Sequence, residues 1–142
     1  MSTAPHPRIL VVDDDPIFRA IAMEALLEIT PSLADAEDGQ AALRILSASP
    51  ADLVLTDINM PNRDGIELIG DIRSQWPQTI IIAVTAGSHA AAPNLLLKTA
   101  ALLGAIVAQK PLSGAALRVL VGNALGVAPM AAISVTVADE QR

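Results

Sequence analysis

Short apolar runs of four or five residues recur along this chain. The stretches between them carry apolar residues at helical spacing. Ile9-Leu10-Val11-Val12 reads as a strand covered on both faces. Leu33–Ala36 is a weaker strand, Leu53–Thr56 a third that ends at Asp57, and Ile80–Val84 a fourth, rich in β-branched residues. Ala105–Ala108 is a fifth, built mostly of small residues. After the first run, Asp15-Pro16 supplies an N-cap with proline at the first helical position. Phe18, Ala22, Ala25 and Ile29 then follow on one face until Thr30-Pro31. Asp38-Gly39 opens a helix with Ala42, Ile45 and Leu46 inward, and Ile66, Ile69, Ile72 and Trp76 line the next, closed by Pro77. Asn94–Leu103 is apolar nearly all round, and Ser113 caps a last helix with Leu117, Leu120, Val121 and Ala124 on one side. Strands alternating with helices in this way predict right-handed parallel βαβ units. The expected fold is α/β, a doubly wound five-stranded parallel sheet with helices on both faces.

The 142 residues suit one domain with a substantial core. The expected division is an N-terminal extension at 1–7, a domain at 8–126 and a C-terminal tail at 127–142 beyond Gly126 and Pro129, where Ile133–Val137 alternates like a strand. Nine basic residues against fifteen acidic ones give a net charge of −6, without the basic footprint that nucleic acid requires. One Phe, one Trp and no Tyr exclude a stacking platform, and the absence of Cys excludes disulfides, thiolate nucleophiles and zinc-thiolate sites. The longest apolar stretch, Ala100–Ala108, is far short of the roughly 18 residues of a membrane span. Met1–Arg8 does not lead into a signal-peptide core. The expectation is a soluble, cytoplasmic protein that engages neither nucleic acid nor membrane.

In an open α/β sheet, ligands bind outside the carboxyl ends of the strands. Here those ends carry Asp13-Asp14-Asp15, Asp57, Thr85 and Lys110-Pro111. Converging carboxylates repel one another unless a cation neutralises them. Hard oxygen donors without His or Cys suit Mg²⁺, which takes one or two carboxylates, waters and phosphate. A carboxylate beside such a cation can attack phosphorus and form an acyl phosphate, with an ammonium and a hydroxyl offsetting charge on the phosphoryl oxygens. Asp57, the Asp13/Asp14 pair, Lys110 and Thr85 supply one candidate for each role. Lysine is scarce, only Lys98 and Lys110, so a compact ammonium at this strand end is informative.

Over about residues 7–126 the chain resembles the receiver domain of two-component response regulators. The resemblance rests on Ile-Leu-Val-Val-Asp-Asp-Asp-Pro at 9–16, Asp-Leu-Val-Leu-Thr-Asp-Ile-Asn-Met-Pro at 52–61 with Gly65, Val84-Thr85-Ala86, and Lys110-Pro111, all in order. It implies a flavodoxin-like strand order 2-1-3-4-5. It implies that Asp57 accepts a phosphoryl group from a histidine kinase or histidine phosphotransfer protein, and that Thr85 is the switch hydroxyl and Lys110 the phosphoryl partner. Asp14 would ligate Mg²⁺ directly, Asp13 mainly through water, and Asn59 through its backbone carbonyl. Pro111 would follow a cis peptide bond. Departures are plain: Val107 stands where the family has an aromatic residue, the Gly104–Lys110 segment is one residue short, and Arg63 replaces an apolar residue. A shift of Asn94–Leu103, without an aromatic rotamer, is the activation route this leaves open.

The leading expectation is a single-domain response regulator: a self-phosphorylating switch, not a turnover enzyme. It would act on a downstream protein partner or a second copy through the apolar surface Asn94–Leu125. Two other readings stand beside it. A phosphorylation-independent interaction module would tolerate Asp57→Asn. A haloacid-dehalogenase-like phosphohydrolase would use Asp13 with Asp15 and turn over small phosphomonoesters.

Overall fold

The computed structural model describes residues 6–58, 65–85 and 93–126. The strands are β1 (Ile9–Val12), β2 (Leu33–Ala36), β3 (Leu53–Asp57), β4 (Ile80–Thr85) and β5 (Ile106–Gln109). The helices are α1 (Pro16–Leu26), α2 (Gly39–Ala48), α3 (Gly65–Gln75), α4 (Pro93–Leu102) and α5 (Gly114–Leu125). All strand pairs are parallel, in the order β2-β1-β3-β4-β5. This is the expected doubly wound, flavodoxin-like arrangement.

Strand alternation sorts the aliphatic side chains into two clusters, one on each face of the sheet. Leu10, Val12, Val54, Ile81 and Ala83 pack with Leu46 of α2, Leu68 and Ile72 of α3 and Ala100 of α4. Ile9, Val11, Leu55, Ile82 and Val84 pack with Phe18 and Leu26 of α1 and Leu117 and Val121 of α5. Full burial of one such Leu, Ile or Val contributes about 1.5–3 kcal/mol, so the apolar runs of β1, β3 and β4 are the main reason the sheet forms. The edge strands β2 and β5 are only partly covered. That is why their sequences are mixed and their signals weak. Trp76 packs against the α2–α3–α4 cluster, the packing role its place in the helical stripe suggests.

Local chemistry sets the helix boundaries. The carboxylate of Asp15 accepts from the Ile17 N–H and the Ser113 hydroxyl oxygen from Ala116, so both expected caps form, and Asp38 adds a third by accepting from the Ala41 N–H. The first helix is shorter than its apolar stripe. It ends at Leu26, and the Ile29 and Thr30 N–H groups both turn back onto the Leu26 carbonyl. The Thr30 hydroxyl donates to the Pro7 carbonyl at 2.7 Å, tying this corner to the start of the chain. β5 is shifted one residue from the expected Ala105–Ala108. Gly104 takes φ +88° to close the turn after α4, and the Ala105 N–H is committed to the Ala100 carbonyl. The fourth helix starts and ends one residue before the expected Asn94–Leu103.

Candidate functional site

The strand registers bring the candidate residues Asp13, Asp57, Thr85 and Lys110 to one edge. Val12 lies beside Thr56, so Asp13 and Asp57 follow as neighbours at the ends of β1 and β3. Asp57 pairs with Val84, which precedes Thr85, and Thr85 pairs with Gln109, which precedes Lys110. The Lys110 N–H donates to the Thr85 carbonyl at 2.8 Å, and the Lys110–Pro111 peptide is cis, as the resemblance implies.

Asp13 is fully buried and Asp57 is 7% exposed, whereas Asp14 faces solvent. Oxygens of the three carboxylates lie within 4.8 Å of one another. One Asp13 oxygen accepts from the Asp15 N–H at 2.9 Å and the other from the Lys110 ammonium at 2.8 Å. The same ammonium is 3.8 Å from Asp57 Oδ2 and 4.3 Å from the centroid of the Phe18 ring. Three carboxylates therefore face one ammonium, a net negative site of hard oxygen donors. The arrangement can hold a small hard cation and present a carboxylate to an electrophile. The Thr85 hydroxyl is buried and has no hydrogen-bond partner among the described residues, and leaving such a group unsatisfied typically costs about 1–3 kcal/mol.

Gly65 shows why a residue without a side chain opens α3. Its N–H donates to the Ile58 carbonyl at 2.9 Å, and a Cβ there would meet the Asp57 carbonyl oxygen at 2.4 Å and Ile58 Cα at 2.5 Å. Backbone contact at this range fixes the Asp57 end of β3 against the start of α3. Asp15 serves as the α1 cap, so the second acid of the phosphohydrolase reading is engaged elsewhere. Val107 packs half-buried against the α2–α3–α4 cluster. Asn59 and Arg63 lie outside the described residues, as does the 127–142 tail.

Two contributors escaped the sequence reading. Phe18 registered only as part of a helical stripe, yet its ring meets the Lys110 ammonium. Arg19 donates to the Asp13 carbonyl at 2.7 Å and to Asp35 at 3.0 Å, bracing the acidic turn from outside. Its place four residues after the α1 cap Asp15 carries no motif. Only the pairing of β1 with β2 brings Asp35 within reach.

Comparison with known proteins agrees with this geometry. The family model described as the response regulator receiver domain matches residues 9–120. The chain is 42% identical over 82 residues to the sensor histidine kinase RcsC of Salmonella typhimurium, covering 58% of this chain and 9% of that protein. It thus spans under a tenth of that relative's length. The receiver domain of an HD domain-containing protein from Pseudomonas fluorescens Pf-5 superposes with a TM-score of 0.76 at 27% identity, covering 85% of this chain and 95% of that one. The chemotaxis response regulator CheY4 of Vibrio cholerae shares the fold, with a TM-score of 0.74 at 24% identity over 84% of this chain and 98% of that one. With the motif order, the strand order and the family model in agreement, the chain belongs to the response regulator receiver domain family.

Proposed function

We propose that Asp57 accepts a phosphoryl group from a phosphohistidine on a histidine kinase or histidine phosphotransfer protein. A carboxylate oxygen attacks phosphorus, the new O–P bond forms as the N–P bond breaks, and the imidazole nitrogen leaves with the electron pair and takes up a proton. The observation that carries this reading is the gathering of Asp13, Asp14 and Asp57 within 4.8 Å, with Lys110 beside them. Asp57 is 7% exposed, so the proposed acceptor is largely shielded from bulk solvent.

The donor set fits Mg²⁺: all ligands are hard oxygens, and the excess negative charge wants a cation. Asp14, Asp57 and, through water, Asp13 would hold it, with the Asn59 carbonyl as the further ligand that family membership suggests. When bound, the ion supplies neutralisation of carboxylate and phosphoryl charge. Lys110 offers its ammonium to the phosphoryl oxygens from the Asp13 side. The Thr85 hydroxyl, lacking a partner, gains one when phosphoryl oxygens arrive, and that gain biases the fold toward the modified state.

The domain at 8–126 then acts as a switch, not a turnover enzyme, and its output is a change in protein contacts. Leu102, Ile106 and Val119 are exposed at 87%, 40% and 51% within the surface 94–125, which supports pairing with a downstream protein or a second copy there. The test is intact mass after incubation with acetyl phosphate and Mg²⁺. A gain of about 80 Da, one phosphoryl group, in the parent and none in Asp57→Asn or with EDTA is the expected result. No gain from acetyl phosphate or a phosphohistidine protein would leave a phosphorylation-independent module.

A further inference from the structure

The Lys110 ammonium is held on three sides. Asp13 Oδ2 lies at 2.8 Å, Asp57 Oδ2 at 3.8 Å, and the face of the Phe18 ring is centred 4.3 Å away. The ring belongs to α1 and the lysine follows β5, so the contact is made only in the assembled fold. Phe18 is 9% exposed and lies in the α1–α5 cluster, and it also lines an open groove of about 370 Å³ with Ile17, Ile21, Pro111 and Leu112. Lys110 lines the same groove, with 21% of its side chain exposed, and the ring covers one side of it.

Lysine is a flexible stem ending in a strongly hydrated point charge. Left uncovered, such a side chain would share its time between the acidic site and water. A ring face within about 6 Å attracts the ammonium through its quadrupole and accepts no hydrogen bond in the manner of water. The N–H groups are thereby left for carboxylate and phosphoryl oxygens. Pre-placed charge is worth more to a transfer step than charge that must be gathered during it.

We propose that Phe18 is a positioning residue for phosphoryl transfer: its ring face holds the Lys110 ammonium over the Asp13–Asp57 edge. The proposal rests on the reading of Asp57 as the acceptor. Phe18 is the chain's single phenylalanine, so biosynthetic replacement with fluorinated phenylalanines alters this ring and no other. Stepwise fluorination drains the quadrupole while nearly keeping the ring's shape.

The measurement is the initial rate of the mass gain of about 80 Da with acetyl phosphate and Mg²⁺, across the mono-, di- and trifluorinated proteins. A small donor is chosen because it needs no protein docking surface. The expected result is a progressive fall, to about fivefold slower with three fluorines, at an unchanged melting temperature. Phe18→Leu should be slow and Phe18→Tyr near the parent. The side-chain methylene protons of Lys110, but not those of Lys98, should carry a ring-current shift that Phe18→Leu abolishes. A flat or rising rate across the series in a parent that is phosphorylated would overturn the role of Phe18 and leave the acceptor reading standing. A parent that takes no phosphoryl group overturns both.

Discussion

The Lys110 ammonium sits 2.8 Å from Asp13 and a full ångström farther, 3.8 Å, from Asp57, although the first partner lies ninety-seven residues away in sequence. In the state described here the lysine is therefore chiefly the counter-ion of a fully buried carboxylate. Lys110→Met keeps much of the stem and removes the charge. Stranding a buried Asp13 in this way should destabilise the protein by about 3 kcal/mol, read by urea unfolding without Mg²⁺, with part of the loss restored by millimolar Mg²⁺.

Asp14 should behave in the opposite sense. It is the exposed member of a site where three carboxylates face one ammonium. Asp14→Asn relieves repulsion, so in EDTA it should melt higher than the parent, by about 1 kcal/mol at this exposed position. The same variant should lose most of the thermal stabilisation that Mg²⁺ gives the parent. A parent that gains no stability from Mg²⁺ would contradict the proposed metal site.

Two glycines of α3 should respond in opposite directions to alanine. A Cβ at Gly65 would meet the Asp57 carbonyl oxygen at 2.4 Å, whereas at Gly70 nothing lies within 4 Å. Gly65→Ala should cost about 2–3 kcal/mol and slow phosphorylation, because the backbone carrying Asp57 must move. Gly70→Ala should stabilise by about 0.5–1 kcal/mol with an unchanged phosphorylation rate. Chemical denaturation and intact mass measure both pairs.

The buried, unpartnered hydroxyl of Thr85 gives a third contrast. Thr85→Val replaces it with a methyl of similar shape. The unmodified protein should be as stable as the parent or about 1 kcal/mol more stable. Beryllofluoride, a phosphoryl mimic, should then produce smaller amide chemical-shift changes in 98–110 than in the parent, while Thr85→Ser should restore them. Equal changes in all three proteins would remove Thr85 from the switch.

Arg73 joins three chain segments through carbonyl oxygens, donating to Leu103 at 2.9 Å, Pro77 at 2.8 Å and Thr79 at 3.1 Å. Arg73→Met should cost about 2–3 kcal/mol, since these are bonds from a charged donor and two of the three are partly buried. Amide exchange should accelerate first at Leu103–Ala105, where the guanidinium secures the turn after α4.

Most of this architecture was legible in the sequence because strand identity and site identity coincide. Each apolar run that forms a central strand breaks off at a residue the site uses, so Val12 before Asp13 and Thr56 before Asp57 carry both messages. The failures have local causes. Ile29 continues the spacing of α1, but the Thr30 hydroxyl is committed to Pro7, a contact between residues twenty-three apart that no spacing rule contains. Ala105 looks like the first strand residue, yet Gly104 and the Ala100 carbonyl place it in the preceding turn. Phe18 and Arg19 gain their roles from partners on other elements, Lys110 and Asp35, so their function exists only at the tertiary level.

The sheet also acts as a partition. The two aliphatic clusters have no residue in common, and successive side chains of β1, β3 and β4 are dealt alternately to one or the other. Volume changes on the α1–α5 side are therefore not transmitted as steric conflict to the α2–α3–α4 side, and substitutions on opposite sides should add independently. One face of such a molecule can drift in sequence toward new neighbours while the other is held constant. The chemistry at the strand ends, set on the rim between the two compartments, stays common to both.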